Sequence, residues 1–378
     1  MFTRFSRFSQ FNRILLIQFG TVRDTLRTLP IINALRTRFP RVKIAWLAAP
    51  EMMEFANCYH MADHLILARP GWYKNLNGFD TLRHRLKAFA PDLCLDLQGN
   101  MASELAMKLS GCRKRVSVGG RRSRFFGMSK KTPSADHESA KRQHLLETLD
   151  VAGACLDYEL PEIGSERRVV DGLARVLGLE SAPFAMLGFA VQSNSSYWEI
   201  DRYVQVAEHL RCNLGLPTVV SWQSEREKLM ADKIVAESGG MAALSPLLSE
   251  VQFAAIARRS SIYVGGDNDF LHIAAAVGTP CIGVYCEDDS QYDAPYCRNF
   301  HYVQAQSGKT RRPKRGSEQC VNEANDPIRI DNYTYDVIRV CNACDDILRP
   351  EPVREEGHHG VQPRATQRAY SRKIVEIR

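Results

Sequence analysis

The chain lacks the features that would place it in several large classes. None of its apolar runs approaches the ~18 residues needed to cross a bilayer. Residues 1–13 lack the apolar core of a secretory signal, so the expected address is the cytoplasm. No Gly-x-Gly-x-x-Gly fingerprint occurs, which leaves a dinucleotide redox enzyme unsupported. The Gly-Lys-Thr at 308–310 lacks the earlier glycine of a phosphate loop. The 11 cysteines follow no framework spacing, and Cys94, Cys155 and Cys281 sit inside apolar runs, as reduced, buried thiols do. No acidic residue precedes Asp24. That leaves Phe2, Phe5, Phe8 and Phe11, with Arg4, Arg7 and Arg13, as a basic aromatic stripe. It reads either as a loosely packed extension or as a contact with an anionic membrane surface.

What is present suits a globular protein of two domains: 378 residues, 44% hydrophobic and 25% charged. The formal charge of +7 suits an anionic partner, such as a nucleotide or a phosphorylated lipid, without calling for nucleic acid.

From residue 13 strand and helix patterns alternate. RILLIQF, VKIAWLA, HLILA and DLCLDLQ read as strands. Helices are expected over 25–39, from 50 and over 82–88. A basic stretch at 119–142 reads as a surface loop leading into a helix near 144–152, and residues near 170–181 as a hinge. A second series starts near Phe184: FAMLGFAV, PTVVSWQ, SIYVGG and PCIGVYC as strands, with helices over 201–213, 224–238 and 248–257. The expected organisation is an extension at 1–12, α/β domains at 13–170 and 182–330, a helix at 331–349 and a disordered tail at 350–378. Such alternation argues for two doubly wound parallel sheets, whose ligands sit beyond the carboxyl ends of the strands. The segment IYVGGDNDFLHIAAAVGTP (262–280) fits that scheme, because a strand breaking at Gly265-Gly266 into a helix makes a seat for an anion.

Four segments, taken in order, resemble glycosyltransferase family 9, the ADP-heptose:lipopolysaccharide heptosyltransferases. They are ILLIQFGTVRDTLRTLPIINALRTRFP, DLCLDLQGNMASELAMKLSGCRKRV, WEIDRYVQVAEHL and YVGGDNDFLHIAAAVGTPCIGVYCEDD. The resemblance implies the GT-B fold, two Rossmann-like domains facing a cleft. It also implies an inverting, metal-independent transfer, without a cofactor, of a sugar from a nucleotide-diphosphate donor such as ADP-heptose. The acceptor would be an anionic glycolipid of lipopolysaccharide type, with peripheral contact to the inner membrane. A GT-B relative that binds a glycan or a protein without catalysis, or one that acts on a protein acceptor, is the alternative.

By the same resemblance Asp24 is the general base, with a helix cap as the plain reading. The family's glycine before this aspartate is Arg23 here, which either holds an acceptor anion or blocks the site. Gln98 and Gly99 line the acceptor side or form a plain turn, and Arg121 steers an anionic acceptor or is simply solvated. On the donor side stand Ser196, where the family has a lysine, Asp267 as the cap, and Asn268 within the loop. His272 is either a donor contact or a buried histidine. Asp288 and Asp289 follow the next strand. Asn268-Asp269 replaces the family's Thr-Gly, and Glu199 its proline. Cys297, Cys320, Cys341 and Cys344 read as core packing on an amphipathic helix, with a metal site as the alternative.

Overall fold

The computed structural model describes residues 11–118, 130–131, 145–146, 159–164, 166–179, 182–189, 198–285, 294–295, 299–304 and 332–348. The first sheet contains β1 (Arg13–Ile17), β2 (Lys43–Ala48), β3 (His64–Leu67), β4 (Leu93–Asp96), β5 (Arg115–Ser117) and β6 (Lys130–Lys131). The second contains β7 (Ala185–Gly188), β8 (Thr218–Val220), β9 (Ala242–Leu244), β10 (Ile262–Gly266), β11 (Cys281–Tyr285) and β12 (Phe300–Gln304). Their spatial orders are β3-β2-β1-β4-β5-β6 and β12-β11-β10-β7-β8-β9, with every pairing parallel. Read from its far edge, the second order repeats the first. Each sheet therefore reverses direction beside its first strand, at β1/β4 and at β7/β10. β1, flanked by β2 and β4, is buried from Ile14 to Ile17, as a parallel strand covered on both faces must be.

The helices are α1 (Val22–Leu26), α2 (Leu29–Arg38), α3 (Met53–Cys58), α4 (Leu76–Phe89), α5 (Met101–Leu109) and α6 (Glu166–Leu177). Then come α7 (Ile200–Cys212), α8 (Glu225–Glu237), α9 (Glu250–Arg259), α10 (Asp269–Ala276) and α11 (Asn332–Leu348). No helix among the described residues is long and apolar enough to cross a membrane.

Three of these helices differ from the sequence pattern. The single helix expected over 25–39 starts earlier, at Val22, and is broken between Leu26 and Leu29. Pro30 stands in the first turn of α2, where its missing N–H does no harm, but it has no amide to carry an unbroken ladder through that point. α4 begins at Leu76 because the Asn75 side chain accepts the Gly78 amide at 2.6 Å. The stretch read as a hinge is largely α6, whose partly buried Leu173 and Leu177 and buried Ala174 pack on the main core.

Phe11, last of the spaced phenylalanines, is buried edge-on against Phe39 at 5.4 Å between ring centres and belongs to the core. The other three lie outside the described residues. The main core runs from the first sheet into α9 and α10, where Phe253 and Phe270 stack at 3.7 Å. At the back of the molecule Glu166, on α6, is 3% exposed. It accepts the Tyr59 hydroxyl at 3.4 Å and the Ile163 amide at 3.3 Å, and pairs with Arg258 Nε at 3.1 Å. Arg258 also donates to the carbonyls of Leu160 and Val277. This node ties α3 of the first half to α9 of the second. Burial and the nearby Glu166 carboxylate raise the Tyr59 hydroxyl above its ordinary range.

α11 closes the second half against α7. Arg202, 5% exposed, reaches Asp336 at 3.3 Å and Glu199 at 3.1 Å, and His209 reaches Asp345 at 2.8 Å. Cys344 is fully buried on this helix and Cys341 is partly buried beside it, so both pack the core as expected. Cys297 and Cys320 lie outside the described residues, among which no group of three or more His, Cys, Asp or Glu side chains is placed to hold a metal ion.

Candidate active site

The sequence motifs converge where the two reversal points face each other. In the first half, Asp96 ends β4 and is fully buried. Its Oδ1 accepts the amides of Gln98 at 3.0 Å and Gly99 at 2.9 Å, and its Oδ2 the Ser117 hydroxyl at 2.7 Å. Burial nevertheless raises this carboxyl above the usual range, and those hydrogen bonds only partly offset it. The turn they hold needs Gly99 at φ +69°, a conformation that favours glycine. Gln98 Oε1 in turn accepts the Phe19 amide at 3.1 Å and Gln18 Nε2 at 3.0 Å, so it stitches the loop after β4 to the end of β1.

Asn268 does the same in the second half. Its Oδ1 accepts the Leu271 amide at 2.8 Å, and its Nδ2 donates to the Phe189 carbonyl at 3.1 Å, beyond β7. The cap of α10 is therefore Asn268, and the expectation that Asp267 caps it is corrected. All three residues of Asp-Asn-Asp are competent caps, and Asn268 prevails because its amide also supplies the donor that the Phe189 carbonyl takes. His272, one turn into α10, is wholly buried beneath the loop, its Nε2 3.5 Å from Asp267 Oδ1. Burial pushes its imidazole down to about 4, against the pull of Asp267 and with help from Arg23 and Arg27. Of the two readings of this residue, the buried histidine is the one the structure supports. At neutral pH it carries no charge to offer a phosphate.

α1 carries Asp24, whose side chain is 28% exposed. Its Oδ2 accepts the Thr21 amide at 3.3 Å, and Arg27 Nη1 lies 3.9 Å from Oδ1. Gly20 makes this fold-back possible, because a Cβ there would run into the Asp24 carboxylate. Asp24 thus caps its own turn while its side chain stays partly exposed.

Arg23 was expected toward the acceptor. Instead its guanidinium crosses to the opposite loop, with Nη2 2.9 Å from Asp267 Oδ1 and Nη1 3.2 Å from Oδ2. Its amide points to Asp269 Oδ1 at 3.4 Å. Burial raises the Asp269 carboxyl, while Arg23 and a hydrogen bond from the Thr21 side chain pull it back and Asp24 pushes it further up. Two departures from the family pattern, the arginine at 23 and the aspartate at 269, therefore touch. The family resemblance placed them on opposite sides of the cleft, and 246 residues separate them in the chain.

Trp198 is buried edge-on against Tyr203 at 4.8 Å and anchors the start of α7 as expected. Ser196, Arg121, Asp288 and Asp289 lie outside the described residues. The residues that sequence reading missed are Asp96, which holds the Gln98–Gly99 turn, and Gly20. Asp96 stood inside the DLCLDLQGN segment without being singled out, and the signal for Gly20 was its position after the first strand.

The sequence model of glycosyltransferase family 9 (heptosyltransferase) matches residues 80–322. The chain belongs to this family. It is accordingly a glycosyltransferase, and its two parallel sheets are those of the GT-B arrangement. Lipopolysaccharide heptosyltransferase 1 of Pseudomonas aeruginosa PAO1 is 24% identical over 302 residues, covering 76% of this chain and 82% of that protein. The crystal structure of a family 9 glycosyltransferase from Veillonella parvula superposes with a TM-score of 0.73 at 16% identity, covering 89% of this chain and 97% of that one. Escherichia coli heptosyltransferase WaaC with ADP-2-deoxy-2-fluoro heptose gives 0.61 at 18% identity, covering 78% and 93%.

Proposed function

We propose that this glycosyltransferase moves a heptose from ADP-heptose to a hydroxyl of an anionic, lipopolysaccharide-type glycolipid, with inversion. Residues 13–170 form the acceptor half and residues 182–330 the donor half. The observation that carries the reading is Asp24, a partly exposed carboxylate on the helix after β1, close enough to act on Asp269 of the loop that opens α10. Asp24 takes the proton of the acceptor hydroxyl as its oxygen attacks the anomeric carbon. The bond from that carbon to the diphosphate oxygen breaks on the opposite face. A general base of this kind contributes about 10²–10⁴-fold. The diphosphate of the donor lies toward the α10 end of the cleft, where helix amides supply positive potential. The lipid part of the acceptor gives the protein a reason to work at the inner membrane face.

Binding and turnover test different parts of this reading. ADP-heptose at millimolar concentration is expected to raise the melting temperature, and Asp24→Ala to lose at least ~100-fold in kcat while still binding donor. No thermal shift with the donor, or near-normal turnover by Asp24→Ala, would sink it.

A further inference from the structure

We infer that Arg23 is a positioning residue, clasping the base-bearing helix α1 to the donor-side loop through Asp267 and Asp269. The inference rests on the transferase reading for its kinetic consequence, but the clasp stands on geometry alone. α1 is only five residues long; buried Val22 and Leu26 hold its inner face in the core, and Thr28 Oγ1 donates to the Asp24 carbonyl at 2.9 Å where the chain turns into α2. Its charged tether to the facing loop is Arg23, beside the hydrogen bond from the Thr21 side chain to Asp269. A guanidinium binding both oxygens of one carboxylate sets orientation as well as distance, and here both contacts go to Asp267, at 2.9 and 3.2 Å. The Arg23 main chain adds the Asp269 contact, so side chain and backbone of one residue engage two carboxylates of the facing loop. The Arg23 and Asp267 side chains are 18% and 16% exposed, which shields the pair from much of the solvent screening that weakens surface ion pairs.

The chemistry explains why the two departures occur together. Asp267, Asp269 and Asp24 bring three carboxylates toward one another, and like charges at this separation repel. Arg23 lies among them and compensates the loop, while its next neighbour in the chain, Asp24, is left to act as base. Small errors in the placement of a catalytic group are costly, ~100-fold for about 1 Å. Loss of the clasp should therefore appear in kcat rather than in donor affinity.

A double-mutant cycle of Arg23→Ala, Asp267→Asn and the two combined tests this. Kinetics and hydrogen exchange of the peptides spanning 20–28 and 265–276 are read on each folded variant. Each single substitution is expected to lower kcat about tenfold, with the donor KM within about twofold. The double variant should be no worse than either single one, because both remove the same contact. Exchange in both peptides should rise in every variant, and Arg23→Lys, which keeps the charge but not the fork, should fall between. Additive losses of about 100-fold in the double variant, or unchanged exchange in the single ones, would overturn the clasp. If the wild-type protein shows no transfer from ADP-heptose, the transferase reading fails, and the exchange data still decide whether the clasp exists.

Discussion

The buried histidine of α10 gives a prediction whose size follows from its surroundings. His272 is fully buried, and its imidazole is held at about 4 against an ordinary value of 6.5. Because the folded value lies below the unfolded one, the unfolded chain binds more protons throughout the window between them. The stability it confers is complete above pH 6.5 and is lost as pH falls toward 4. Each unit of difference is worth about 1.4 kcal/mol, so linkage gives a loss of about 2 kcal/mol between pH 7 and 5, and about 3 kcal/mol by pH 4. Asp96 and Asp269, whose carboxyls are raised, act in the opposite sense and are stabilised by acid. The comparison must therefore be with a variant and not with an absolute curve. Urea unfolding of wild type and His272→Gln at half-unit steps from pH 7 to 4.5 isolates the histidine, whatever the offset between the two proteins at pH 7. The wild-type curve should fall away from that of the variant by about 2 kcal/mol at pH 5. Parallel curves, or a His272 resonance titrating near 6.5, would show that the imidazole is not held neutral by burial.

Two further substitutions probe the turns that shape the cleft. Gly20→Ala places a methyl group against the Asp24 carboxylate. It should cost about 1 kcal/mol of stability through the lost cap and at least about tenfold in kcat, and normal turnover would contradict the fold-back of Asp24. Asp96→Asn gives up one of the carboxylate oxygens that receive the Gln98 and Gly99 amides and the Ser117 hydroxyl. A lowered urea midpoint, equivalent to about 1–3 kcal/mol, is the expected result, and an unchanged midpoint would refute the assignment.

Much of the fold was legible in sequence because its central strands carry short, unbroken apolar runs. RILLI and KIAWLA are apolar after their first residue, IYVGG ends at its glycines, and nothing local competes with them. Strands β5, β9 and β12 were not legible. RVS and AAL are three residues each, and FHYVQ carries half-exposed polar groups, so only pairing with a neighbour makes them strands. Asn75 and Gly78 hid the first turn of α4, since both also signal a loop. In the candidate site, Asp24 and the Gln98–Gly99 turn stood where their strands end, and strand ends are visible in a pattern. The destination of Arg23 was not visible. An arginine is long enough to serve either side of a cleft, and its choice was made by carboxylates 244 residues away.

The two halves are joined at front and back by bonds of different character. At the back, Glu166 is 3% exposed and held by a tyrosine, a main-chain amide and Arg258, whose own side chain is 24% exposed. At the front, Arg23 and Asp267 keep part of their surface in water. Added salt shortens the range of charge interactions, to ~3 Å at molar strength, and acts chiefly on groups that touch solvent. Ionic strength should therefore weaken either ion pair only in part, and the back joint also keeps its tyrosine and main-chain hydrogen bonds. In concentrated salt the molecule should behave like a book whose spine holds and whose clasp has merely loosened.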